Sequence, residues 1–316
     1  MLSRIAESLF WTGRYVERAD DTARILDAYL HRLLEDPWSD EDAACRSLHA
    51  ILGAQVAQDT PCDVQQVLDR LAFDRRSGGS IAGALTAARE NARLAREVVS
   101  TEMWECLNST WHSLDSYEST ARHVGPYRYL ELVRRRAALF FGLVESTLSR
   151  DDGWRFVVLG RSLERVDMTA RLLAVRVLAA VHAPDWPTLL GAGGADESFL
   201  RLRRGFGGSA QVAEFLLLER DFPRSVMHAL LTAEQCLLAL GRPGPDHGGY
   251  GNRTDPALAP IGRMRTRLEY LDPADLERDL PVLLREVQDA CTQSASAVAE
   301  RFFPYGGPVA WALEGA

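Results

Sequence analysis

The sequence predicts an all-α fold, a helical bundle built from two tandem, pseudo-symmetric helical repeats of approximately 1–150 and 151–316. Three observations carry this. Apolar residues recur at i, i+3, i+4 and i+7 through most of the chain, as amphipathic helices require. Alternating strand patterns bounded by hairpin turns are missing. A fourteen-residue segment also returns 147 residues further on with nine identities. The 316 residues are compatible with two domains of ~150 residues or one large one. Duplicated helical units usually bury faces against each other, so one domain over 1–316 is expected.

The elements follow in order. From Ser3 to Leu34 there is one glycine and no proline, and Tyr15, Val16, Ala19, Thr22, Ala23 and Leu26 share one face. Pro37 and the acidic run Asp40-Glu41-Asp42 close this helix and open the next, carboxylates suiting a positive helix N-terminus. Further helical patterns cover roughly 40–58, 62–73, 80–121, 127–149, 152–182, 209–240, 257–271 and 273–303. The Gly/Pro-rich stretch from Gly241 to Pro260 reads as a mobile surface loop.

The repeat pairs Gly13-Arg14 with Gly160-Arg161, Glu17-Arg18 with Glu164-Arg165, Asp20 with Asp167, Thr22-Ala23-Arg24 with Thr169-Ala170-Arg171, and Leu26 with Leu173. A weaker match aligns Asp74 with Asp221, then Ser80-Ile81 with Ser225-Val226 after a two-residue deletion. At 100° per residue, Arg14, Glu17, Arg18, Asp20, Asp21 and Arg24 fill an arc of about 160° opposite the apolar face. Solvation needs some charge on such a face, but not the same charge at the same position twice. Pseudo-symmetry could bring the two rows face to face in an internal polar seam. Two readings stay open: ion pairs stapling the helices, or an anion site with catalytic capacity. A mid-helix glycine costs ~1 kcal/mol against alanine, so Gly13 and Gly160 point to close helix approach or a ligand. Glu17 and Glu164 are the candidate catalytic pair, and Arg14, Arg18, Arg24, Arg161, Arg165 and Arg171 are candidate substrate-binding residues. Neighbouring arginines would keep those glutamates ionised, which suits binding or metal ligation better than acid catalysis.

A third cluster gathers Arg89, Glu90, Asn91, Arg93, Arg96, Glu97, Glu102, Glu105 and Asn108. Asn91, Arg93, Arg96, Glu97 and Glu102 are further candidate substrate contacts, while Trp104 and Trp111 suit core packing.

Composition excludes several chemistries. All 36 basic residues are arginine, against 44 acidic residues and a net charge of −8. Lysine-dependent Schiff-base, P-loop and kinase chemistry is therefore impossible, and general nucleic-acid binding is not expected. Exclusive arginine suits two-point recognition of carboxylate or phosphate, although GC-rich coding would produce it as well. The seven histidines form no HExxH, ExxH or close pair, so neither a metal site nor a di-iron bundle is expected. There is no GxSxG or GxGxxG, and Gly248-Gly249-Tyr250-Gly251-Asn252 follows no strand. Five scattered cysteines suggest reduced thiols. With no signal-peptide core and no run of the ~20 apolar residues a membrane span needs, a cytoplasmic protein is expected.

Three segments together resemble the alpha-E domain family: the opening Met1–Asp20 with its Gly13-Arg14-Tyr15-Val16-Glu17-Arg18; Arg89-Glu90-Asn91-Ala92-Arg93 with Arg96-Glu97, Glu102-Met103-Trp104-Glu105 and Asn108; and Leu159–Asp167. The resemblance runs through essentially the whole chain. It implies an all-helical bacterial protein that partners a circularly permuted ATP-grasp protein in ATP-dependent amide or peptide bond formation. ATP and Mg would then sit on the partner ligase, with no cofactor intrinsic to this chain. The charged positions it carries over are Arg14, Glu17, Arg18, Arg93, Arg96, Glu97, Glu102, Arg161, Glu164 and Arg165. Phe222 departs from it, standing where a polar residue is expected. The implied role is an accessory subunit binding a peptide or amino-acid-like anion (a carboxylate or acyl-phosphate) or the ligase itself. The alternative is an enzyme of amide chemistry using a paired-glutamate, arginine-lined site.

Overall fold

The computed structural model describes residues 1–36, 40–54, 61–178, 185–203, 208–241 and 255–303. All regular structure among them is helical. The first helix, α1 (Ser3–Glu35), is buried on nearly every side. Leu9, Val16, Ala19, Ala23 and Leu26 lie in the apolar core, while Glu17, Asp20, Asp21, Thr12 and Thr22 are equally sequestered. A helix buried all round and still carrying charge must have those charges answered by neighbours.

The principal answer comes from α7 (Asp152–Leu178), the helix in most extensive contact with α1. The two helices touch backbone to backbone at their glycines. A Cβ on Gly13 would stand 2.1 Å from the Val157 carbonyl oxygen, and one on Gly160 would stand 2.1 Å from that of Phe10. Glycine is required at both places, because only its missing side chain permits this approach. Contacts advance in the same direction along both helices (Gly13 meets Val157 and Arg161, Arg18 meets Glu164), so α1 and α7 run parallel.

The remaining helices wrap this pair. Following α2 (Glu41–Ile51), the short α3 (Val64–Val67) and a π-helical segment at Leu68–Phe73, α4 (Ile81–Leu94) packs along α1. Helix α5 (Thr101–Val124) bridges α4 to α6 (Tyr127–Thr147), which returns to α1. After α7 come α8 (Trp186–Gly193), α9 (Asp196–Arg203) and α10 (Ser209–Leu218). Then α11 (Val226–Leu240) packs along α7, α12 (Leu258–Glu269) lies against α11, and α13 (Pro273–Phe302) returns to α7. Helix α8 crosses over to α1, and α2 to α7. The core is continuous through both halves.

Several expected boundaries change. The pattern over 80–121 is two helices: α4 ends at Leu94, and the Ser100 hydroxyl accepts from the Met103 amide at 3.2 Å to start α5. That cap involves neither glycine nor proline, the punctuation used to place breaks. The pattern over 209–240 is likewise split, because Pro223 precedes the Ser225 cap of α11. Helices α8 and α9 were not anticipated; Asp185 caps α8 through the Thr188 amide at 2.8 Å. Helix α2 stops at Ile51, short of 58. The stretch 242–254, with its glycine-rich run, and the tail of the 152–182 pattern beyond 178 lie outside the described residues. All five cysteines are free and buried. Among the described residues, no helix is long and apolar enough to cross a membrane.

Candidate functional site

Where α1 and α7 meet, each helix offers one glutamate to two arginines of the other. Glu164, almost wholly buried, accepts from Arg14 Nε at 2.7 Å and from Arg18 Nε at 2.5 Å and Nη2 at 3.1 Å. Glu17, fully buried, accepts from Arg165 Nε at 2.6 Å, and Arg161 Nε lies 3.5 Å from its other oxygen. The charged rows therefore turn inward and meet. No described hydrogen bond or ion pair joins Glu17 to Glu164; each faces the opposite helix's arginines. Spacing explains the arrangement: positions 14 and 18, and positions 161 and 165, lie one turn apart and flank one opposing carboxylate. Aromatic rings brace the guanidiniums from behind, with Arg14 5.4 Å from the Trp11 ring, Arg18 5.4 Å from Tyr15 and Arg161 4.2 Å from Phe141.

Two loops complete the centre. Arg18 Nη1 donates to the Gly78 carbonyl at 3.3 Å, and Arg165 Nη1 to the Pro223 carbonyl at 2.9 Å. In each loop a serine hydroxyl donates to the carbonyl six residues earlier, Ser80 to Asp74 and Ser225 to Glu219. Each serine also caps the following helix by accepting from an amide at 3.0 Å, that of Gly83 or His228. These bonds set Asp74 opposite Glu219, not Asp221 as the sequence match aligned it, because the two-residue deletion falls before the loop. Phe222 then stands opposite Ser77; its ring packs 5.1 Å from Phe215 in the core, which explains the apolar residue there.

Arg224, from the second loop, is the residue that sequence reasoning missed. Its guanidinium bonds Asp20, reaches Asp21 at 2.5 Å and Glu17 at 3.3 Å, and so spans three carboxylates of α1. Thr169 Oγ1 donates to the Arg224 carbonyl at 3.2 Å and steadies the loop. The signal available was the Ser80/Ser225 register, which sets Arg224 against Gly79.

Charge and burial compete here. Burial pushes Glu17 up, but Arg165, Arg224 and Arg161 outweigh it and hold the carboxyl down at about 2. Glu164 is likewise held at about 2, burial being overcome by Arg18 and Arg14. Asp21 goes the other way: burial and the adjacent Glu17 push it up to about 8 against the pull of Arg224. Glu17, Asp20 and Asp21 each keep one buried oxygen without a hydrogen-bond partner. Ligand atoms of these three carboxylates lie within 4.8 Å of one another, close enough to share a cation. The Arg224 guanidinium occupies their other oxygens.

The remaining candidates divide. Arg24 bonds Asp20 at 3.2 Å and Arg171 bonds Asp167 at 2.9 Å, each one turn along its own helix. Both border the centre. The third cluster does not join it. Asn91 donates to its own helix at Ala87, Arg93 bonds Glu90 at 2.8 Å, and Arg96 stacks 5.2 Å from Trp104. Glu97 and Glu102 are exposed. The reason is that α4 turns its small residues, Ala84, Ala88 and Ala92, inward, which leaves the charged face outside. Trp104 and Trp111, expected as core, are only half-buried and stack on Arg89, at 5.4 and 4.7 Å.

Fold and centre together define an all-helical protein organised around a buried arginine–glutamate cluster. The chain belongs to the Alpha-E family, described as "a predicted alpha-helical domain with a conserved ER motif", whose model matches residues 1–303. Glu17-Arg18 and Glu164-Arg165 are Glu-Arg dipeptides of this centre. The chain is also similar to uncharacterized proteins of Mycobacterium bovis and Mycobacterium tuberculosis. It is 26% identical to each over 349 aligned residues, covering 96% of this chain and 38% of the relative. A second Mycobacterium tuberculosis protein, also uncharacterized, is 25% identical over the same extent. The chain thus spans little more than a third of these relatives' length. No solved structure matches it.

Proposed function

We propose that this chain is a partner or accessory subunit of an ATP-grasp amide or peptide ligase. It would engage an anionic substrate, a carboxylate or acyl-phosphate, or the ligase itself, through the arginine-rich faces of α1 and α7. ATP and Mg would belong to the ligase. The chain would work in the cytoplasm as a tandem duplication of one helical unit. The observation that carries this reading is the state of Glu17 and Glu164. Both are held ionised near 2 and locked between arginines, so they position guanidiniums rather than carry protons. That weighs against the alternative, an enzyme using the pair as acid and base. One arginine on each helix is the more open: Arg18 is 24% and Arg161 26% exposed, against 14% for Arg14 and 7% for Arg165.

The test is reconstitution with a circularly permuted ATP-grasp protein from the same organism. Ligase activity should rise when the chain is added, and Arg18→Gln should remove most of that rise. A ligase equally active alone would overturn the proposal.

A further inference from the structure

The five cysteines are scattered along the chain, but folding brings two of them together. The first turn of α2 does this. The Asp42 carboxylate, held by Arg46 at 2.6 Å, accepts from the Cys62 amide at 2.7 Å, and the Glu41 carboxylate accepts from the Val64 amide at 3.2 Å. Cys45 lies three and four residues beyond Asp42 and Glu41, on the same face of the helix. The two bonds that draw residues 62–64 onto α2 therefore set Cys62 against Cys45. The two thiols are hydrogen-bonded to each other, and both are buried, Cys62 at 3% exposure and Cys45 fully. The other three have different surroundings. Cys106 donates to the Arg136 carbonyl at 3.8 Å, Cys236 lies near Arg155, and Cys291 lies near Asp167.

Access differs between the two. Cys45 sits inside α2, whereas Cys62 sits in a non-helical stretch between exposed Pro61 and Asp63, ahead of a helix only four residues long. A short irregular stretch opens locally more readily than a packed helix does. Burial pushes both thiols up, Cys45 to about 12, and at Cys62 the neighbouring Arg46 works against burial. Cys62 is thus the thiol that meets a reagent, and Cys45 waits behind it.

We infer that Cys45 and Cys62 form an oxidation site, which a low-molecular-weight disulfide closes to a cystine bond joining α2 to the start of α3. The Cys62 thiolate attacks one sulfur of the reagent and displaces its other half as a thiolate, leaving a mixed disulfide on Cys62. Cys45 then loses its proton and attacks the Cys62 sulfur, displacing the second half. The two cysteine protons end on the two released thiols, and the reagent gains the two electrons that the chain loses. In a reducing compartment the pair stays open, and it closes when the thiol pool turns oxidising. The bond encloses Gly53, where an added Cβ would stand 2.8 Å from Arg171 Nη1. Oxidation therefore pins a segment that abuts the border of the arginine–glutamate centre. This inference does not depend on the ligase reading.

Incubation of the folded full chain with oxidised glutathione tests it, followed by thiol counting in denaturant and peptide mapping by mass spectrometry. Two of the five thiols should be lost. The peptides bearing Cys45 and Cys62 should appear joined, two hydrogens lighter than their sum, and dithiothreitol should restore all five thiols. Cys45→Ser should stop at the mixed disulfide, with one glutathione on Cys62, and Cys62→Ser should leave Cys45 unmodified. Retention of all five thiols, under conditions in which the urea-unfolded chain loses them, would overturn the inference. So would a bond from either cysteine to one of the other three. Should a serine variant fail to fold, acid-quenched early samples of the parent replace it: glutathione should be found on Cys62, and its accumulation on Cys45 would overturn the proposed order.

Discussion

Asp21 is the residue whose chemistry is set most sharply by its neighbours. Buried beside Glu17, its carboxyl keeps a proton up to about pH 8, while in the unfolded chain it releases that proton near 3.8. Between those values the native chain binds more protons than the unfolded one, so stability falls as pH rises, by about 1.4 kcal/mol per pH unit for one proton. Glu17 and Glu164 act oppositely. Held at about 2, they contribute stability that is complete above their ordinary value of 4.5 and lost as pH falls toward 2. Asp21→Asn should therefore flatten the decline in unfolding free energy between pH 5 and 8, measured by denaturant titration at four pH values. An unchanged slope would show that Asp21 is ionised throughout. None of this could be read in advance, since Arg224 lies some 200 residues from Asp21 in the chain. Sequence spacing shows which charges share a helix face, but not which distant loop answers them.

At the scale of elements, the glycines decide how α1 meets α7. Alanine is favoured over glycine inside a helix by ~1 kcal/mol, so propensity alone says that Gly13→Ala or Gly160→Ala stabilises. Packing reverses the sign. The new methyl would stand 2.1 Å from a backbone carbonyl oxygen, which cannot swing aside as a side chain would. Each substitution should cost about 1–3 kcal/mol or more, as overpacked cores do, read from chemical denaturation midpoints. A stabilised variant would mean that the helices do not touch there. Here the sequence was informative, because a costly residue kept in both copies of a repeat signals close approach. It was uninformative at Ala95–Ser100, where α4 ends without glycine or proline and a serine cap begins α5, and at α8 and α9, too short to show a clear period.

Across the whole molecule, α1 and α7 form one parallel pair, and helices from both halves wrap it. The all-helical fold and the recurrence of charged rows at 14–24 and 161–171 were legible, since both follow from periodicity and repetition; that the rows meet was one of two readings the sequence left open. The third cluster, a set of candidate substrate contacts by sequence, lies apart from the α1–α7 centre, because one charged helix face looks like another until packing decides which side is covered. The account centres on the reciprocal bonds between each glutamate and the opposite helix's arginines. Breaking a buried pair by removing one partner costs about 3–5 kcal/mol. The most direct measurement is a double-mutant cycle on unfolding free energy with Arg18→Gln and Glu164→Gln, repeated with Arg165→Gln and Glu17→Gln. Each cycle should give a coupling above about 1 kcal/mol, as contacting charged residues do. Additivity within about 0.5 kcal/mol in both cycles would contradict the account and leave the two helices without the bonds that define their centre.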